Sequence, residues 1–259
     1  MPLSPRPTAA ELLAPAREVA DRCPPSTVAE WKINGTRHVL ESFTFRGPAG
    51  GGTMVRVGIF AGIHGDEVAG VAAAARFIKS LVTDPRIAGG YELTIFPLCN
   101  PTGLAAGTRL AASGRDLNRE FWLGSSEREV LVLEREIRTR RLDGIIALHA
   151  DDETPGLYAF ALGAQVTEHV VEPALRAAER ILPRNRHPVI DNFVAENGLI
   201  RKGYPGMLCA PPEQSPRPFE IVFETPTSAD FELQVEANLV FLRTALEQYL
   251  QLQAVGQDL

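Results

Sequence analysis

The chain has 259 residues, 45% hydrophobic and 22% charged, enough to bury a substantial core as one large α/β domain or two small ones. Its 26 Lys and Arg against 32 Asp and Glu leave a formal charge of −6, which argues against nucleic acid or an anionic membrane surface as the main partner. No apolar stretch approaches the roughly 20 residues that a membrane-crossing helix needs.

The N-terminus, Met1-Pro2-Leu3-Ser4-Pro5-Arg6-Pro7, lacks the basic-then-apolar pattern of a secretory signal. The leading residues are Pro-rich around an amphipathic patch, Ala9 to Val19. They read as an arm or helix over 1–30, ahead of one domain over 31–259. Arg37 to Phe45 and Thr53 to Ala61 read as two strands, split by the turn-rich Gly47-Pro48-Ala49-Gly50-Gly51-Gly52. Helix signals cover Asp66 to Leu81, with Asp66 and Glu67 suited to the positive N-terminus. Tyr91 to Leu98 is the next strand, β-branched and aromatic. Cys99 to Ser125 is a long irregular stretch of the kind that carries function. A helix is predicted over Ser126 to Arg141, with Ser126 as its cap and Glu129 near the capping-box position.

Asp143 to Leu148 is a near-continuous apolar run that reads as a buried strand ending at His149. A strand from Leu157 to Leu162, a helix near Val166 to Ile181 and a mixed region to Pro218 follow. Phe219 to Phe223 reads as a central strand ending at Glu224, and Ser228 as the cap of a last helix reaching about Leu252. Strands and helices alternate without an internal repeat or a shift in composition. The pattern predicts a single three-layer α/β/α sandwich around a mixed, largely parallel sheet. Cys23, Cys99 and Cys209 are scattered and form no Cys-x-x-Cys pair. Reduced thiols and a cytoplasmic chain are the simpler reading, although a mature chain stripped of its signal would read the same.

His64, Asn100, His149 and Glu224 each sit just past a predicted strand, and in an open α/β sheet those ends converge on one rim. His64-Gly65-Asp66-Glu67 lies at a strand-to-helix corner, where an imidazole and a carboxylate can reach one small cation. His149 supplies a third donor, and two His with one carboxylate leave a zinc ion an open position. Zinc in such a site lowers the pKa of bound water and polarises a carbonyl. Glu224, in Phe223-Glu224-Thr225-Pro226, is the best-placed base for hydrolysis. The long loop holds Asn100-Pro101-Thr102-Gly103, Gly107-Thr108-Arg109 and Asp116-Leu117-Asn118-Arg119. Two arginines and an amide there suit recognition of a carboxylate.

In this order, over roughly residues 50 to 250, the chain resembles the zinc carboxypeptidases of the M14 type. The resemblance implies an α/β/α sandwich with an eight-stranded mixed sheet, and one Zn²⁺ held by His64, Glu67 and His149. It implies that Glu224 is the general base and that Arg109 helps stabilise the oxyanion. Asn118 and Arg119 match the pair that holds the substrate's terminal carboxylate. Asp116 matches a carboxylate orienting a ligand imidazole, that of His64. Tyr204, in Lys202-Gly203-Tyr204-Pro205-Gly206, matches a mobile tyrosine that closes over substrate.

His-Gly-Asp-Glu and Asp-Leu-Asn-Arg are shared with the succinylglutamate desuccinylase and aspartoacylase branch. Asn-Pro-Thr-Gly and Gly-Thr-Arg look more like the peptidases, especially small bacterial ones acting on cell-wall peptides. The implied partner is a small peptide with a free carboxylate or, alternatively, an N-acyl amino acid. A non-catalytic binding protein on the same scaffold is a third reading, and no particular oligomeric state is implied. Asp151-Asp152-Glu153 reads as a solvated turn or as a wall that attracts an ammonium group, such as that of a diamino acid. Arg115 reads as a solvated loop charge, and His38, His169 and His187 as structural or exposed.

Overall fold

A computed structural model describes residues 6–50 and 52–257. Residues 1–5 of the expected arm and Gly51 of the glycine-rich turn lie outside the described residues. Helix α1 (Ala9–Arg17) opens with a reciprocal capping box between Thr8 and Glu11, which satisfies two otherwise orphaned N–H groups. Strands β1 (Pro25–Ile33) and β2 (Thr36–Arg46) form an antiparallel hairpin. Its turn, Asn34-Gly35, has both residues at positive φ, as a two-residue hairpin demands. Strand β1 is not expected from the sequence pattern, and it runs across residue 30, the expected start of the domain. Only Trp31 of this strand is buried, so the alternation that betrays a half-buried strand is missing.

The chain continues through β3 (Val55–Ala61), α2 (Val68–Thr83), β4 (Tyr91–Phe96), the short α3 (Pro101–Ala106), α4 (Arg128–Arg140) and β5 (Gly144–Asp151). Then come β6 (Tyr158–Ala161) and one helical stretch made of α5 (Ala164–Val166), a π turn (Thr167–Val171) and α6 (Glu172–Ala178). Three small strands follow, β7 (Val189–Ile190), β8 (Phe193–Glu196) and β9 (Leu199–Ile200). The chain closes with β10 (Phe219–Pro226) and α7 (Phe231–Gln257).

The sheet runs β1-β2-β4-β3-β5-β10-β6-β9-β8-β7. Its central four, β4, β3, β5 and β10, are parallel, and antiparallel pairs lie toward both edges. Ten strands are present among the described residues, where the resemblance implies eight. Neighbouring residues of one strand feed opposite cores: Ile59 packs with α2, α6 and α7, and Phe60 with α4 and the long loop. Ile146 and Ile145 of β5 divide in the same way, as a two-residue side-chain period requires. The result is the mixed, largely parallel three-layer sandwich.

Two helix starts differ from expectation. Glu127, not Ser126, precedes α4, and its N–H donates to Ser125 Oγ at 3.1 Å. The Glu129 carboxyl turns inward, its Oε1 3.1 Å from Thr102 Oγ1, rather than closing a capping box. At α7, Asp230 Oδ1 accepts from Glu232 N at 2.9 Å and Leu233 N at 3.3 Å, so Asp230 is the cap and Ser228 lies two residues too early.

Candidate active site

Strand β3 ends at Ala61, and Gly62, at φ +62°, turns the chain off the sheet into the His64 corner. Gly65 follows, where a Cβ would stand 2.0 Å from the carbonyl carbon of Gly103. The corner therefore packs backbone to backbone on α3. Glu67 occupies the N-cap position of α2. On the neighbouring strands the parallel register sets His149 of β5 directly beside Glu224 of β10, and Glu224 opposite Tyr158 of β6.

His64, Glu67 and His149 are all buried. His64 Nδ1 lies 2.5 Å from Glu67 Oε1, His149 Nδ1 lies 2.9 Å from Glu67 Oε2, and the two Nδ1 atoms are 3.2 Å apart. The other ring nitrogen of His64, Nε2, donates to Asp116 Oδ1 at 3.0 Å. That bond fixes the neutral tautomer with its lone pair on Nδ1. Two imidazole lone pairs and a carboxylate converging in a buried place need a cation or a proton among them. The three ligand atoms lie within 4.8 Å of one another, and this donor set fits zinc.

Burial alone would push His64 down, but the Glu67 charge and the bonds to Asp116 and Glu67 outweigh it and hold the imidazole up at about 9. His149 goes the other way, its burial winning over the attraction of Glu67. Burial opposes ionisation of Glu67 and Asp116, yet both lie below the ordinary carboxylate range. For Glu67 the cause is its two histidines, and for Asp116 it is His64 and Arg109. Glu224 is the exception. Burial first, then the charges of Glu67 and Asp151, raise it well above a normal carboxylate.

His64, Glu67, Asp116 and Glu224 line a cavity of about 420 Å³. Arg109 donates to Asp116 Oδ2 at 3.1 Å and reaches Glu67 Oε1 at 3.5 Å. Asn118 Oδ1 accepts from Leu208 N at 2.8 Å, which fixes its amide. The Arg119 guanidinium stacks 4.0 Å over the Tyr204 ring, donates to the Asn118 carbonyl, and has no carboxylate partner among the described residues. Gly206, at φ +77°, lets the Tyr204 segment approach Arg119, where a Cβ would meet the Arg119 carbonyl oxygen at 2.3 Å. The Tyr204 hydroxyl donates to Asp191, whose carbonyl and Oδ1 lie at 2.8 and 2.7 Å. Burial and that acceptor push the phenol up to about 12.

All nine singled-out residues except His149 line the cavity itself, and His149 sits beneath it against Glu67. Asp151, Asp152 and Glu153 also line the cavity. Asp151 is held by Tyr158 Oη at 2.7 Å and by Thr154. Arg115 points away, to Glu120 and Glu127. Asn100, expected on the rim, is instead fully buried below it. Sequence reasoning missed Tyr158 and Asp191. Neither stands in a motif, and only the register of β6 and the β7–β8 turn bring them in.

The profile of the succinylglutamate desuccinylase/aspartoacylase catalytic domain matches residues 53–184, which include His64, Glu67 and His149. The chain belongs to this family. Among curated proteins none matches it in sequence. Its fold is shared with a presumed metallopeptidase from Shewanella denitrificans, with a TM-score of 0.75 at 21% identity over 91% of this chain and 88% of the other. A metallo-carboxypeptidase from Burkholderia cenocepacia superposes with a TM-score of 0.68 at 17% identity, over 93% and 68% of the two chains. One from Pseudomonas aeruginosa, in complex with (2-guanidinoethylmercapto)succinic acid, gives 0.60 at 20% identity over 92% and 68%. The family's catalytic domain here thus has a zinc carboxypeptidase-like fold. Among the described residues no helix is long and apolar enough to cross a membrane.

Proposed function

We propose that the protein is a zinc-dependent hydrolase that cleaves an amide bond next to a free carboxylate, most simply as a small metallocarboxypeptidase. The observation that carries this reading is the convergence of His64 Nδ1, His149 Nδ1 and the Glu67 carboxylate beside Glu224. A zinc ion held by these three residues supplies a Lewis acid and a water of lowered pKa. Glu224 takes a proton from the attacking water at its carboxylate and returns it to the leaving nitrogen. The raised proton affinity of Glu224 suits the return of the proton to the leaving nitrogen. Arg109 faces the oxygen that gains charge in the transition state. Asp116 keeps the proton of His64 on Nε2.

Arg119, unpaired with any carboxylate among the described residues, takes the substrate's carboxylate in a two-bond fork while Asn118 donates an amide hydrogen beside it. Tyr204 covers that end of the cavity and leaves Asp191 to do so. The charge around the cavity favours a peptide. Arg119 marks one anionic subsite, while Asp151, Asp152, Glu153 and Asp191 line the same space. That distribution suits a substrate carrying both a carboxylate and an ammonium group, and it disfavours a dianion.

The second reading is an N-acyl amino-acid deacylase, and the match to the succinylglutamate desuccinylase/aspartoacylase profile favours it. Turnover on a panel of short peptides and N-acyl amino acids separates the two. Glu224→Gln tests the chemistry common to both. Zinc content is expected to stay at the wild-type level while kcat falls by at least about a thousandfold. Activity within tenfold of wild type would refute Glu224 as the base.

A further inference from the structure

Beneath the cavity, Asn100 joins two segments that the proposed chemistry needs in register. Its Oδ1 accepts from Gly103 N at 2.7 Å and Thr102 Oγ1 at 3.0 Å. Its Nδ2 donates to the carbonyls of Ile63 at 3.2 Å and Arg109 at 3.4 Å. Two acceptors on one side and two donors on the other permit only one orientation of the amide. Ile63 immediately precedes His64. One fully buried side chain therefore holds the backbone of the metal-binding corner and the backbone of the arginine that reaches Glu67 and Asp116.

Thr102 supports this bridge from the far side. Its Oγ1 accepts from Ala112 N at 3.1 Å and lies 3.1 Å from Glu129 Oε1. Glu129 is itself buried, and burial pushes its carboxyl up. Thr102 Oγ1 thus stands between the Glu129 carboxyl and Asn100 Oδ1, and packs the amide from that side. Thr108 N also bonds Gly103 O at 3.0 Å, tying the start of the arginine loop to α3.

We propose that Asn100 is a positioning residue that couples the His64 corner to the Arg109 loop, with Thr102 and Glu129 holding it in place. The coupling to Arg109 rests on the hydrolytic reading, whereas the coupling to His64 rests on metal binding alone. Without its donor, the Ile63 carbonyl is left unpaired in a buried place and the corner shifts. Without the same donor at Arg109, the guanidinium loses its fixed approach to the site.

Asn100→Ser tests this, because the shorter hydroxyl still caps α3 but stops short of both carbonyls. Zinc affinity, measured by competition with a chromogenic chelator, is expected to fall about tenfold, as for other groups that orient ligands from outside the coordination sphere. On an amide that the wild type hydrolyses, kcat is expected to fall at least about tenfold with KM within about threefold. In an Arg109→Ala background the same substitution is expected to cost less than about twofold in kcat, because the group it positions is gone. Unchanged zinc affinity removes the link to His64, and equal kcat losses in both backgrounds remove the link to Arg109. Either result overturns the coupling.

If Asn100→Ser fails to fold, Thr102→Val replaces it, and additive kcat losses with Arg109→Ala overturn the proposal. A wild type that binds zinc but hydrolyses no amide refutes the proposed function alone. The zinc competition then decides the proposal by itself.

Discussion

His64 carries a carboxylate at each ring nitrogen, Glu67 at Nδ1 and Asp116 at Nε2. Without metal this holds a proton on the ring up to about 9, against an ordinary value of 6.5. A raised histidine pKa stabilises the fold fully below 6.5, and that contribution is lost as pH rises through 9. A zinc ion held as proposed would compete with the same proton for Nδ1. Glu67 and His149, both shifted downward, have no proton to lose near neutrality. Zinc affinity is therefore expected to rise about tenfold per pH unit from neutrality to about 9 and then level off. At least about one proton, that of His64, should be released per zinc below pH 9, and Glu224, whose raised affinity rests partly on the Glu67 charge, adds to it where it is protonated. Calorimetry in buffers of different ionisation enthalpy counts that proton, and a pH-independent affinity with no release would contradict the assignment. Asp116→Asn removes the acceptor that fixes the tautomer and is expected to weaken zinc binding about 10- to 100-fold.

At the level of elements, the legible parts were those whose pattern is dictated by burial. β3, β4, β5 and β10 are buried on both faces and read as apolar runs, so each strand that delivers a site residue was visible. His64, His149 and Glu224 follow from those runs by position alone, since each closes a run on the same rim. The strands missed were β1, with one buried residue, and β7, β8 and β9, of two to four residues each. So short a segment cannot display a period. Asp191 was hidden with them, because it enters the cavity only through the β7–β8 turn. Asn100 is legible as a strand-end residue but its buried place is not, because a strand-end position does not say whether a side chain faces the cleft or the packing beneath it. The contact of Gly65 with Gly103 was likewise invisible in one dimension. It makes a sharp prediction. A methyl 2.0 Å from a backbone carbon forces the His64 corner off α3. Gly65→Ala is expected to destabilise the fold by about 2–4 kcal/mol in urea unfolding. A loss under about 0.5 kcal/mol would show that the two loops are free to separate.

The whole molecule carries a formal charge of −6, and the cavity lining has the same sign, with seven Asp and Glu against two Arg. Asp151, Asp152, Glu153 and Asp191 line the same space as Arg119, the residue proposed to take the substrate's carboxylate, and no Lys or Arg pairs with these four among the described residues. A low-dielectric cleft with an excess of one sign of charge focuses its field on the ligand. Replacing Asp151 and Asp152 together by Asn is expected to raise KM for a peptide bearing a side-chain ammonium by about tenfold, leaving KM for a neutral peptide within about twofold. Equal, small changes for both substrates would return these residues to the role of a solvated turn.

The fold and the family match meet at one claim, that His64, Glu67 and His149 hold the single ion on which amide cleavage depends. The most direct measurement is hydrolysis by metal-stripped protein as zinc is added back, alongside His149→Ala. Activity is expected to start near zero, rise linearly and saturate at about one equivalent of zinc per chain, with no rise in the variant. Full activity in the stripped protein, or a wild-type response from His149→Ala, would contradict the account.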